Sequence, residues 1–257
     1  MMRRLWSYRH LVLSLIRRQY HLRYRQSFAG LFWALIPPLA TLGVGSLVFG
    51  SVVPVETDGH PYALLTMAAV VPWTFFASTM TFGVPSVVAA FPMVTRLSFP
   101  RAALPLSLVG LSILDLLISL ALFTILAFIL GDGLPLTAAW LPLVLLVEVA
   151  LVSGLVLLGS ALNVFARDIR LAVPLVVQFW LFLTPVMYPL TKVPEALRPW
   201  YLANPMTGIV ESAKGVLVRG EGLDPALIVP SAVGALGLLL LGGWYFSGTE
   251  SRFADAI

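Results

Sequence analysis

Apolar residues in this chain do not alternate with polar ones; they come in six long runs separated by short polar stretches. The runs cover roughly 31–53, 62–90, 104–130, 138–165, 171–190 and 225–247. An α-helix needs about 20 apolar residues to cross the hydrocarbon core of a bilayer. Each run therefore reads as a transmembrane helix. Residues 3–25 follow another pattern. Leu5, Tyr8, Val12, Leu15, Ile16 and Tyr20 share one helical face, and most of the arginines lie around the other. This predicts a basic amphipathic helix in the membrane interface. A plain charge cluster that sets orientation is a compatible alternative. The connection 191–224 is moderately apolar and broken by Pro194, Pro199 and Pro205. It predicts short re-entrant external helices before the last span, a form tolerated only against protein or water. An ordinary exposed loop is the alternative. The expected fold is an all-α membrane protein: one transmembrane domain over 1–257, with six transmembrane helices, an N-terminal amphipathic interface helix over 1–30 and an external gate segment at 191–224.

Composition strengthens the membrane reading. Of 257 residues, 59% are hydrophobic and 11% charged, and the mean hydropathy is +0.95. A soluble domain carries about 25% charged residues. The sequence has no cysteine, which excludes disulfides, thiolate metal sites and a cysteine nucleophile. The three histidines, His10, His21 and His60, lie outside strongly apolar stretches, so no histidine metal site is expected in the membrane. No cleavable signal peptide is expected, because the N-terminus is basic and mixed.

Charge sets the orientation. Lys and Arg concentrate in the cytoplasmic loops of membrane proteins. Residues 1–30 hold Arg3, Arg4, Arg9, Arg17, Arg18, Arg23 and Arg25; Arg96, Arg101, Arg167, Arg170 and Arg252 follow in alternate connections and the tail. The intervening loops near 54–61 and 131–137 carry Glu56, Asp58 and Asp132 and no Lys or Arg. Both termini are therefore expected in the cytoplasm of a bacterial inner membrane, which requires an even number of spans. The net charge of +4 belongs to this topology and not to nucleic-acid binding.

Candidate chemistry is sparse. A phosphate-binding loop needs G-x-x-x-x-G-K-[ST]. The only lysines are Lys192 and Lys214, and neither fits. No cofactor is expected in this chain; if it is a pump, the motor is another protein. Asp115 and Glu148 are the only acids deep in the spans. They are functional suspects, as channel-lining groups or ion-coupling sites. The competing reading is a structural hydrogen bond to nearby Ser, Thr or backbone, since no span carries a Lys or Arg to pair with them. The loop 91–101 is broken by Pro92 and Pro100 and presents Arg96, Leu97, Phe99 and Arg101. It reads either as a docking knob for a partner or as an ordinary positive loop. Trp73, Phe75, Phe76, Trp180, Phe182, Tyr188, Trp200 and Tyr201 gather toward the outer half. They suit an interfacial aromatic belt, or stacking against sugar C–H faces along a path.

Several runs together resemble a known family. They are Arg23-Tyr-Arg-Gln-Ser-Phe-Ala-Gly-Leu-Phe-Trp33 with Pro37-Pro-Leu39, Pro72-Trp-Thr-Phe-Phe76, Phe99-Pro-Arg101 with Leu104-Pro105, Asn163-Val-Phe-Ala-Arg-Asp168, Gln178-Phe179, Thr184-Pro-Val-Met-Tyr-Pro189 and Asn204-Pro-Met206. In this order they resemble the type-2 ABC exporter permeases for polysaccharides and polyol phosphates, across nearly the whole chain. The first loop departs from the family pattern, with Thr95-Arg96 where a basic pair is usual and Ala102 where an acid is usual.

The resemblance implies two copies of this chain, and two ATP-binding cassette subunits that hold the ATP and Mg. It implies an undecaprenyl-linked substrate such as an O-antigen, capsule-like glycan or teichoic acid. It assigns coupling to Arg96, Phe99, Pro100, Arg101, Arg167 and Asp168. Trp33, Trp73, Phe76, Gln178, Phe179 and Tyr188 become candidates to line the path, and Trp200, Tyr201, Asn204 and Pro205 form an external gate. A drug or lipid exporter of the same superfamily is the nearest alternative. A membrane enzyme on lipid-linked substrates and an ion-coupled transporter using Asp115 or Glu148 are the others.

Overall fold

A computed structural model describes residues 8–25, 30–48, 59–96, 99–131 and 133–253. Glu56, Asp58, Leu97, Asp132, the first arginines and the end of the first apolar run lie outside these residues, as do the side chains of Arg25 and Arg96.

The described residues are helical throughout their ordered elements, with no strand. Helix α1, Arg9–Tyr20, widens into a π-turn over His21–Arg25. A 3-10 turn at Gly30–Ala34 leads into α2, Ile36–Leu47. Then come α3 (Tyr62–Gly83), two short helices α4 (Ser86–Ala89) and α5 (Phe91–Arg96), and α6 (Ala103–Leu130). Helix α7 is Leu141–Phe165, entered by a 3-10 turn at Leu136–Trp140. It is followed by α8 (Ile169–Phe182), α9 (Arg198–Ala203), α10 (Pro205–Lys214) with a π-turn at Gly215–Arg219, and α11 (Pro225–Thr249).

Four of these segments are long and apolar enough to cross a membrane: Tyr62–Gly83, Ala103–Leu130, Leu136–Phe165 and Pro225–Arg252. They match the second, third, fourth and sixth apolar runs. The other two runs form shorter helices. The fifth run extends to 190, yet α8 stops at Phe182 after 14 residues. At 1.5 Å per residue it spans about 21 Å, short of the ~30 Å hydrocarbon core. Its apolar run goes on, but Pro185 and Pro189 cannot continue a helix. Thr184, Pro185 and Val186 are buried in turns instead. The first run likewise yields only α2 and its 3-10 entry within the described residues.

The bundle is built on α3, α6, α7 and α11. Helices α7 and α11 touch backbone to backbone: a Cβ on Gly242 would lie 2.2 Å from the Gly154 carbonyl oxygen. Small residues at such contacts replace the missing hydrophobic drive between helices in lipid. The main core holds Phe75, Phe76, Phe123, Leu151 and Ile209. A second apolar cluster lies at the end of the bundle that bears α1, α5, the α7–α8 turn and the C-terminal end of α11. Most described arginines gather at this basic end. Helix α1 packs lengthwise on the first half of α6, from Leu15 in the second cluster to Tyr24 against Leu108 and Leu111.

Candidate transport site

The first site is a side groove of about 600 Å³ between α2, α3 and α6. Trp33, Trp73 and Phe82 supply apolar surface, and Thr41, Thr74, Ser78, Thr81 and Ser119 supply hydroxyls. Most of these hydroxyls already donate to their own helix: Thr74 to Val71 O, Ser78 to Phe75 O, Thr81 to Ala77 O and Ser119 to Asp115 O. The fixed charge in the groove comes from the N-terminal segment. Arg23 Nη1 donates to Asp115 Oδ2 at 2.9 Å, and the Tyr24 hydroxyl donates to Asp115 Oδ1. The Arg23 guanidinium also lies 4.6 Å above the Phe82 ring. Asp115 thus has a basic partner, supplied by the turn after α1 and not by a span. Sequence reasoning missed this pair because 92 residues separate its members.

The second site lies at the opposite end, where α8 gives way to α9 and α10. Asn204 caps α10, its Oδ1 accepting from the Met206 amide at 3.1 Å and from Trp180 Nε1 at 3.0 Å. Its Nδ2 donates to Leu183 O and Thr184 Oγ1. Tyr188 and Tyr201 share a hydroxyl contact at 3.0 Å, and Tyr188 donates to Phe182 O at 2.7 Å. Trp73, Phe76 and Trp180 form a ring series at 5.2 Å spacings. A shallow hollow beside them is lined by Val176, Phe179, Trp200, Tyr201, Asn204 and Pro205.

Beneath this, α10 is buried from Met206 to Lys214 among α3, α7 and α11. Lys214 Nζ bonds Glu211 Oε1 at 2.9 Å and the carbonyls of Pro185 and Tyr188. Arg219 Nη2 reaches the other Glu211 oxygen at 3.1 Å. Lys214 and Arg219 read in sequence as charges of an external connection. In the fold, Lys214 is an interior tether that holds the end of α8 to α10, with Arg219 at its edge.

At the basic end, Phe99 and Met93 pack on the second cluster, and the Arg101 guanidinium turns inward to the Glu250 carbonyl. Arg18 Nη1 lies 3.0 Å from Met93 Sδ. Arg167 and Asp168 are exposed at the α7–α8 turn. Asn163 Oδ1 accepts the Arg170 amide there, closing that turn.

The structure therefore divides the expected path-lining residues. Trp33 and Trp73 line the side groove; Phe179 lines the hollow; Gln178 is exposed on α8; Phe76 is buried in the ring series between them. The four gate residues are together. Glu148 stands apart: it is fully buried, and among the described residues neither carboxyl oxygen has a hydrogen-bond partner.

Apolar spanning helices, a charged groove between them and a cluster of basic turns at one end define a multi-pass membrane protein of the transporter kind. The chain belongs to the ABC-2 type transporter family, whose domain matches residues 10–218. It is 27% identical over 259 aligned residues to an O-antigen export system permease protein RfbA of Myxococcus xanthus, covering 100% of this chain and 99% of the relative. Two proteins of the same name from Klebsiella pneumoniae are 25% and 26% identical, each covering 96% of this chain and 95% of the relative.

Proposed function

We propose that this chain is the path-forming subunit of an ATP-driven exporter of O-antigen or a closely related lipid-linked polysaccharide. The observation that carries the reading is end-to-end similarity to O-antigen export permeases, not confined to one motif. Two copies of the chain associate in the bacterial inner membrane, with both termini in the cytoplasm. Two ATP-binding subunits dock below and supply the ATP and Mg chemistry. The basic end then faces the cytoplasm, with Arg96, Phe99, Pro100, Arg167 and Asp168 at or near the docking surface. Arg101 acts from inside that surface.

The side groove fits an amphipathic cargo, because it joins three aromatic or apolar walls to a fixed guanidinium. The α9–α10 segment, packed between spans, acts as the external gate, with Trp200, Tyr201, Asn204 and Pro205 on its exposed side. Six spans, including short first and fifth ones, satisfy the even count that cytoplasmic termini demand. A static groove does not move cargo; the ATP-bound and ATP-free states must differ in their contacts with the chain.

The test is co-purification with a co-expressed ATP-binding cassette subunit, followed by ATPase assay with and without lipid-linked glycan. Complex formation and glycan-dependent hydrolysis are expected. Transport or enzymatic turnover by the isolated chain would overturn the proposal. Hydrolysis that responds to a drug or a simple lipid but not to glycan would move the cargo to that class.

A further inference from the structure

We propose that Glu250 and Phe253, at the end of the last span, are positioning residues for coupling: they clamp the first basic-end loop to α11, so that both move as one body. The clamp rests on the exporter reading and adds a route for the motion. Two independent sets of contacts carry it.

The first is polar. The Arg101 amide donates to Glu250 Oε1 at 2.6 Å, the Arg101 guanidinium donates to the Glu250 backbone carbonyl, and Arg101 Nη2 lies 3.5 Å from Val94 O. Arg101 lies two residues before α6, near the positive end of the helix dipole, which favours negative charge. A carboxylate at the end of one span therefore holds the backbone that leads into another, 149 residues away in sequence. Hydrogen bonds to an ionised acceptor are about twice as strong as neutral ones.

The second is apolar. Phe253 is fully buried, in edge contact with Phe246 at 5.1 Å and Phe165 at 6.1 Å. Phe165 closes α7 next to Arg167 and Asp168. The same cluster takes in Leu15 of α1, Val94 of α5, and Leu104 of α6. One small core thus touches both basic-end turns, the N-terminal helix and the C-terminal end. Close-packed apolar groups transmit displacement instead of absorbing it. A push on α5 or on the Arg167–Asp168 turn passes to α11, which carries it along the Gly242–Gly154 contact into α7.

Two measurements test this on the complex with the ATP-binding subunit. The chain has no cysteine, so Thr95→Cys and Ser251→Cys, both exposed, accept a spin-label pair. Their separation is expected to be the same in nucleotide-free and ATP-bound complexes. It is expected to shift or broaden with nucleotide once Glu250→Ala is added. In parallel, Glu250→Ala is expected to keep ATPase binding and hydrolysis while export falls about tenfold, an ordinary size for a coupling energy. Glu250→Gln, which keeps an acceptor oxygen for the Arg101 amide, is expected to recover most export. A Thr95–Ser251 separation that changes with nucleotide in the otherwise native chain overturns the clamp. So does unaltered export by a well-folded Glu250→Ala. Failure of the native chain to bind any ATPase refutes the exporter reading itself and is seen before either variant is made.

Discussion

Two buried carboxylates, alike in sequence, have opposite surroundings. Asp115 accepts from Arg23 and Tyr24 and sits on the groove wall. Removing it leaves a guanidinium and a phenol without their acceptor, at a cost of about 1–3 kcal/mol. Asp115→Ala is therefore expected to lower the thermal midpoint of the detergent-solubilised protein and to weaken export, while Asp115→Asn, still able to accept from Tyr24, is expected to lie between. Glu148 offers the contrast. With no partner among the described residues, its carboxyl carries a burial cost that no contact offsets. Glu148→Met keeps the volume and removes that cost. It is expected to raise stability by about 1–2 kcal/mol with export intact, measured by thermal unfolding and a surface glycan assay. Loss of export in a stable Glu148→Met protein would show that the acid works in transport. The sequence marks both acids as suspects, but it holds no trace of which one has a partner.

At the scale of helices, close approach and interior charge do the holding. Any side chain on Gly242 meets the Gly154 carbonyl at 2.2 Å, a backbone atom that has nowhere to go. Gly242→Val is expected to destabilise by about 1–3 kcal/mol or to prevent assembly. Gly237→Ala on the same helix meets nothing within 4 Å and is expected to be tolerated, with yield and thermal midpoint as readouts. In α10, Lys214→Met leaves Glu211 to Arg219 alone and frees the Pro185 and Tyr188 carbonyls. Leaving buried acceptors unpaired costs about 1–3 kcal/mol, so weaker expression and a loosened α8 end are expected, visible as new protease cleavage near 185–190. The long helices α3, α6, α7 and α11 are legible in the sequence because lipid demands a continuous apolar run. The end of α8 is not, since hydropathy reports depth and not hydrogen-bond geometry. Residues 183–190 stay apolar while leaving the helix. The tethers on Asp115 and Glu250 are equally silent, as each joins side chains brought together only by the fold, whereas Glu211 and Lys214 sit three residues apart on one helix.

For the whole molecule, the decisive asymmetry is between its two ends. Arg9, Arg17, Arg18, Arg101, Arg167, Arg170 and Arg252 all lie at the end where α1, α5 and the last residues of α11 meet. The opposite end holds the α9–α10 segment, whose Lys214 is neutralised in place by Glu211. Basic residues near span ends resist translocation, whereas a charge already paired inside the fold is assembled after insertion and adds little to that bias. On the proposed orientation, Lys214 and Arg219, both paired with Glu211, therefore weigh little against the basic end. The orientation can be read directly. In spheroplasts carrying single-cysteine variants, a membrane-impermeant maleimide is expected to label Gly222→Cys, at the exposed turn before α11, and to leave Ser251→Cys unlabelled until the membrane is opened. The reverse pattern would turn the basic end away from the cytoplasm, beyond reach of any ATP-binding partner, and would remove the mechanical role of Arg101, Glu250 and Phe253.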